Sequence, residues 1–229
     1  LGDVYKRQVE GSYLRGGCAT GYPTILSVRG EVLHNHAHGN RLEEGDLVLM
    51  DSGAERPSGY GADVTRAWPA SGTFTPEQRA VYEIVLEAQL AAIEKTRRDN
   101  HWNEPHDAAV KVITKGLKKL GLLDGTLPKL IRDGAYREYY MHRTGHWLGM
   151  DVHDVGDYKV GDEWRLLEPG MAMTVEPGIY LPNSRKVPAR FRDIGVRIED
   201  DVVVTNNGAD VLSKGLVKEP DAIEALMQG

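Results

Sequence analysis

The chain has 229 residues, enough to bury a substantial core, and 41% of them are hydrophobic against 27% charged, the ordinary balance of a globular protein. Its formal net charge of −6 comes from 34 acidic residues mixed among 28 basic ones, with no basic stripe to bind nucleic acid and no like-charged run of the kind found in disordered tails. No apolar stretch approaches the roughly 18 residues that cross a bilayer, and the single cysteine, Cys18, cannot close an internal disulfide, which fits a reducing compartment such as the cytoplasm.

Residues 1–21 carry no readable period. Gly16, Gly17 and Gly21 interrupt any helix, and residues 1–8 read as the tail of something else, so 1–21 is expected to be a truncated or non-native segment ahead of one domain over 22–229. A β-type run begins at Thr24–Val28. Leu47–Met50 is an apolar strand ending on Asp51, and a turn with Gly53, Pro57, Gly59 and Gly61 leads to a second strand, Asp63–Trp68, so the two read as a hairpin. Thr75-Pro76-Glu77-Gln78 supplies a capping residue, a proline at the first helical position and a glutamine three after the cap, which starts a helix. Val81, Ile84, Val85, Ala88, Ala91 and Ala92 hold one face of it to about Lys95. A second helix is expected from about Glu104 to Leu120, closed by Gly121. Tyr139–His142, Met171–Val175 and Val196–Thr205 look like strands, the last broken around Asp200-Asp201, and Ala222–Met227 like a short helix. Strands, two helices and further strands make an α+β domain. Each half ends a strand on an acid and offers another further on, Asp51 with Asp63 and Glu176 with Glu199, as two similar halves facing across a site would.

Asp63 stands 12 positions after Asp51 on the returning strand, so both acids can face one cleft. Alone, two such acids could equally be turn residues accepting backbone N–H groups. His142, His146 and His153 lie close together, bracketed by Gly145 and Gly149, which allow close backbone approach. Glu176 and Glu199 sit in apolar strand-like runs where an unpaired carboxylate is costly. Arg197 could neutralise one acid and Arg192 another, yet the acids outnumber such partners. An oxygen-rich site with one imidazole suits Mn²⁺, Fe²⁺, Co²⁺ or Zn²⁺. Four crowded carboxylates resist ionising together, whereas two divalent cations about 3.5–4 Å apart cancel their charge, and a hydroxide held between them points to hydrolysis.

These residues resemble the pita-bread metallopeptidases, and within them the bacterial aminopeptidase P branch. The resemblance spans roughly Tyr22 to Met227. It rests on Leu33-His34, Gly45 through Asp51, Ala62 through Arg66, Met141 through Gly149, Asp151 through Asp154, Thr174 through Gly178 and Arg197 through Asp201, in that order. It implies two pseudo-symmetric α/β halves around a dinuclear site, with Asp51, Asp63, His146, Glu176 and Glu199 as ligands and Asp63 and Glu199 bridging. It implies Glu176 as proton shuttle. His34, His142 and His153 would line a proline pocket and stabilise the developing oxyanion, and Arg197 would orient an acidic ligand. The implied activity is release of the first residue from peptides with proline second, using two divalent ions, Mn²⁺ above others, in a homo-oligomeric full-length protein.

Some features depart from the family. The two aspartates are one position further apart than is common, an insertion placed in the turn at Arg56–Ser58. Arg143 replaces a common glycine beside the pocket, His36 and His38 add imidazoles expected to line it, and the usual N-terminal domain is not visible. Prolidase, which cuts dipeptides with the same ligands, is the nearest alternative; methionine aminopeptidase fits the histidines less well. A non-catalytic pita-bread peptide-binding module is the alternative from another class, although such modules lose ligands.

Overall fold

The computed structural model describes residues 2–39 and 41–229; Leu1, at the head of the segment read as non-native, lies outside them. Where no element was expected, helix α1 runs from Gly2 to Arg15, steadied by Arg7–Asp3 and Lys6–Glu10 pairs one turn apart. Gly16 and Gly17 do not break this helix but end it. Gly17 has φ +75°, and the Cys18 N–H reaches back to the Tyr13 carbonyl at 2.9 Å, a left-handed C-terminal closure.

Two short strands, β1 (Ala19–Thr20) and β2 (Ile25–Ser27), precede the expected hairpin of β3 (Leu47–Ser52) and β5 (Val64–Pro69), and β4 (Ala54–Glu55) pairs with β1 inside its turn. β3 is the central strand of the β2-β3-β5 sheet, with Asp51 opposite Thr65. Leu47, Val48 and Leu49 are all buried, as a covered central strand requires. The capping box at Thr75 is present and opens α2 (Pro76–Lys95), which packs on α3 (Asn103–Lys119) at Gly116, where any side chain would strike Ile84. A short α4 (Leu127–Arg132) follows.

Tyr139–His142 is not a strand. It follows a 3₁₀ turn at Ala135–Glu138, and its tyrosines are apolar filling for the core: Tyr139 and Tyr140 are buried, and both donate their N–H groups back to Tyr136. A small hairpin, β6 (Lys159–Val160) with β7 (Glu163–Trp164), then leads to the second half.

That half is one long ladder interrupted in both strands. β8 (Ala172–Val175) pairs with β11 (Asp200–Thr205), and β9 (Gly178–Leu181) pairs with β10 (Ile194–Arg197). Glu176-Pro177 therefore faces Ile198-Glu199 across a gap in the ladder. The break in the last long strand falls there, two residues before the expected Asp200-Asp201, because Pro177 lacks a donor and the Glu199 N–H leaves the ladder to bond the Thr65 carbonyl on β5 at 3.1 Å. That bond joins the two sheets. β12 (Gly208–Val211) lies on the outer side of β11, and α5 (Pro220–Met227) ends the chain.

Asp200 ties this seam to the helices. Fully buried, it accepts from Arg66 Nη2 (2.7 Å), Gln89 Nε2 (2.7 Å), Ser213 Oγ (2.6 Å) and Lys218 Nζ (2.6 Å). Burial alone would raise its pKa, but Arg66 and these hydrogen bonds outweigh it and hold the carboxyl below its ordinary value. Its stabilisation is therefore present above the unfolded carboxylate pKa of about 3.9 and is lost as pH falls through the lower folded value. Asp200→Ala is expected to cost about 3–5 kcal/mol in chemical denaturation, since it strands buried cations; a loss below about 1 kcal/mol would contradict this role.

Candidate metal centre

The seam between the sheets is where the acids meet. Asp51 is the second-last residue of β3, Asp63 stands just before β5, and Glu176 and Glu199 occupy the two interruptions of the ladder. The fifth residue arrives on residues 144–148, which run along the free edge of β8: the Glu176 N–H bonds the Thr144 carbonyl at 2.7 Å, Thr174 bonds His146 at 3.0 Å, and Leu148 bonds Ala172 at 3.1 Å. Gly145 is required for this approach, because a Cβ there would run into the Thr174 carbonyl. All nine residues singled out from the sequence, the five above with His34, His142, His153 and Arg197, line one cavity of about 430 Å³.

Asp63, His146 and Glu199 each offer a ligand atom within 4.8 Å of the others. Asp51 and Glu176 adjoin this trio rather than belong to it. The Tyr22 hydroxyl donates to both Asp51 Oδ1 (2.6 Å) and Asp63 Oδ1 (2.5 Å), sharing one proton between them, and Glu176 Oε1 lies 3.6 Å from His146 Nε2. His146 donates from Nδ1 to the Trp147 carbonyl at 2.9 Å, which turns Nε2 to the acids, 3.3 Å from Asp63 Oδ2. Arg197 Nη2 donates to Asp51 Oδ2 at 2.6 Å and Nε to Thr65 Oγ1 at 3.1 Å; Thr65 in turn donates to Glu199 Oε2 at 2.6 Å. The carboxyl-orienting arginine is thus Arg197. Arg192 is spent on the Val187 carbonyl and takes no part.

The electrostatics show what the donor set lacks. Burial first, then the charges of Asp63, Glu176 and Asp51, push Glu199 well above the carboxylate range. Burial also lifts Glu176 to about 7 despite His146 and Arg197, and raises Asp51 against the pull of Arg197. Burial opposes a charged His146, but the hydrogen bond to Asp63 and the charge of Glu176 prevail and raise it to about 9. The carboxyl shifts come from burial first and from neighbouring acids second, in a site where positive charge is short. Divalent cations supply that charge, and four carboxylates with one neutral imidazole are a donor set they accept.

The other histidines differ in their freedom. His142 donates from Nδ1 to the Arg143 carbonyl (2.7 Å) and accepts the Tyr180 hydroxyl at Nε2 (2.7 Å), while Tyr180 accepts from Arg197 (3.2 Å). Both nitrogens are engaged, the ring is neutral, and burial takes its pKa down to about 4. His153 stands edge-on to His146, with centroids 4.3 Å apart, and has no hydrogen-bond partner among the described residues. His36 and His38 do not line the cavity as expected: His36 is exposed, and His38 turns its Nδ1 to the Leu26 carbonyl.

Tyr22, Thr65, Tyr180 and Asp201 were missed. Thr65 and Asp201 each lie two residues beyond a singled-out acid, near the start of β5 and β11, a spacing that marks them. Asp201 accepts the Asp63 N–H at 3.2 Å. Tyr22 is far along the chain from both its partners, and nothing local marks it.

Residues 5–206 match the profile of metallopeptidase family M24. The chain belongs to that family. The M24 chain is 43% identical to the Xaa-Pro aminopeptidase of Escherichia coli over 211 residues, which are 90% of this chain and 47% of that protein. It is 45% identical to the Haemophilus influenzae Xaa-Pro aminopeptidase over 86% of this chain and 45% of the relative. Among solved structures, Pseudomonas aeruginosa aminopeptidase PepP superposes with a TM-score of 0.96 at 50% identity, covering all of this chain and 52% of that one. A variant of E. coli aminopeptidase P in complex with substrate gives 0.95 at 40% identity, over 99% and 52%. The fold is the pita-bread fold, and the chain spans about half the length of the relatives it matches. M24 membership implies divalent metal ions, which agrees with the charge deficit of the site. Among the described residues no helix is long and apolar enough to cross a membrane.

Saturating metal-stripped protein with Mn²⁺ is expected to stabilise it by about 2.7 kcal/mol at 100-fold excess over Kd, or roughly 2–4 °C of thermal midpoint per kcal/mol. His146→Ala, with its circular dichroism unchanged, should show less than half that rise. An equal rise in both proteins would remove His146 from the metal centre.

Proposed function

We propose that the chain is the catalytic part of a two-metal aminopeptidase that releases the first residue of peptides with proline second. The observation that carries this reading is the convergence of Asp51, Asp63, His146, Glu176 and Glu199 on one cavity whose carboxyls are starved of positive charge. These five would hold two divalent ions, Mn²⁺ foremost, with Asp63 and Glu199, both in the tight trio, as the bridging pair. When bound, the ions acidify a water to a nucleophile at neutral pH and polarise the scissile carbonyl.

The remaining work falls to the side chains. Glu176 is placed to take the proton of the attacking water and return it to the departing proline nitrogen. The water oxygen joins the carbonyl carbon, the C–N bond breaks, and the proton ends on that nitrogen. His153 keeps its ring nitrogens free to donate to the oxygen that gains charge, with His34 beside it on the cavity wall. His142, locked between the Arg143 carbonyl and Tyr180, offers a fixed, uncharged ring as a wall for proline, which has no N–H to satisfy. Arg197 holds Asp51 and, through Thr65 and Tyr180, registers Glu199 and His142 in one network. A cytoplasmic location, consistent with the single cysteine, and a homo-oligomeric full-length protein complete the reading.

With Mn²⁺ present, an Xaa-Pro-Xaa tripeptide should be hydrolysed at least about tenfold faster than Xaa-Ala-Xaa. Equal rates would end the proline-specific reading, and cleavage confined to Xaa-Pro dipeptides would make the protein a prolidase.

A further inference from the structure

The cavity is chemically two-sided. Its floor is the acid cluster, and its opposite chemistry is found at Arg143, next to His142 in sequence and on the same cavity wall. The Arg143 guanidinium lies over the Trp164 ring, 4.9 Å from its centroid, and Lys159 Nζ lies 4.7 Å from the same centroid. Arg143 also donates to Asn103 Oδ1, and Asn103 donates from its amide to Asp107 Oδ2 at 2.8 Å, so the guanidinium is held in place by a neutral side chain. Among the described residues neither Arg143 nor Lys159 has a carboxylate within ion-pair distance. In a chain with net charge −6, two cations thus share one tryptophan with no carboxylate in direct contact among the described residues. Trp102 and Tyr158 complete this wall and keep it apolar around the charge, which strengthens any ion pair made there.

A peptide bound amino end first places its ammonium group toward acids and later residues toward the opening. Adjacent Cα atoms are about 3.8 Å apart and an extended residue spans about 3.3–3.6 Å. Arg143 lines the same cavity as the four acids, His146 and His142, so the residue that follows the proline is the one its guanidinium would meet. We propose that Arg143, backed by Lys159 on the same Trp164 ring, recognises a carboxylate on the third residue of the substrate. That carboxylate is either the free C-terminus of a tripeptide or an acidic side chain in a longer peptide. The proposal deepens the reading of the site as one that takes Xaa-Pro peptides.

The test uses two matched pairs on the full chain: an Xaa-Pro-Ala free acid against its amide, and an Xaa-Pro-Glu-Ala amide against the Xaa-Pro-Gln-Ala amide. Both kcat/KM and the calorimetric Kd are measured for wild type, Arg143→Gln and Arg143→Lys. Wild type should favour the carboxylate member of at least one pair by about fivefold, as an ion pair on a partly exposed wall allows. The pair that responds identifies the source of the carboxylate. The preference should fall below twofold in Arg143→Gln, survive in part in Arg143→Lys, and weaken with added salt. No preference in either pair, or one that Arg143→Gln leaves intact, overturns the proposal. If no Xaa-Pro peptide is hydrolysed, the peptidase reading fails, and the same Kd comparison still decides the role of Arg143.

Discussion

Four carboxylates crowded at one seam, Asp63 and Glu199 buried and Asp51 and Glu176 largely so, are the constraint on which the rest of this structure depends. Like charges in a water-poor cleft raise one another's pKa and oppose folding. The chain answers only in part, with Arg197 on Asp51, Thr65 on Glu199 and the shared proton of Tyr22. The shortfall is visible in Glu176, Glu199 and Asp51, all raised, and in His146, raised to about 9. A site left short of positive charge in this way has an intrinsic demand for cations.

The same seam holds the fold together, so site and scaffold are not separable. Glu199 donates its N–H across to β5, Asp63 donates to Asp201, and residues 144–148 are laced to β8 on the other side. The contrast between adjacent residues is instructive. Asp200 faces Arg66, Gln89 and Lys218, and its pKa is lowered; its neighbours Glu199, in the gap before β11, and Asp201, on β11, are raised. One acid is fully matched and structural, while its neighbours are left unmatched and point to function.

Most of the candidate site was legible because its parts combine short-range patterns with costly chemistry. Asp51 at the end of an apolar strand, Asp63 across the turn, and Glu176 and Glu199 in apolar runs each break a local rule, and together they ask for a common explanation. Helix α2 was legible from its capping box. What was not legible depended on distant contacts. Tyr22 joins Asp51 and Asp63 through a hydroxyl whose partners lie far along the chain, and the apolar tyrosines of 139–140 imitate a strand while packing in the core as irregular chain. The helix at Gly2–Arg15 was hidden because its terminating glycines read as interruptions. The ladder break moved to Ile198-Glu199 because a bond to the other sheet, absent from any local pattern, outcompeted the local one.

The central claim is that the acid cluster is built for two cations rather than for protons. The most direct measurement is the number of Mn²⁺ ions retained per chain, by elemental mass spectrometry after saturation and desalting, with protons released on loading followed in parallel. The account predicts two ions per chain and release of protons as Glu176, Glu199 and His146 give them up. Retention of no ion, or of two ions with no proton released, would contradict it.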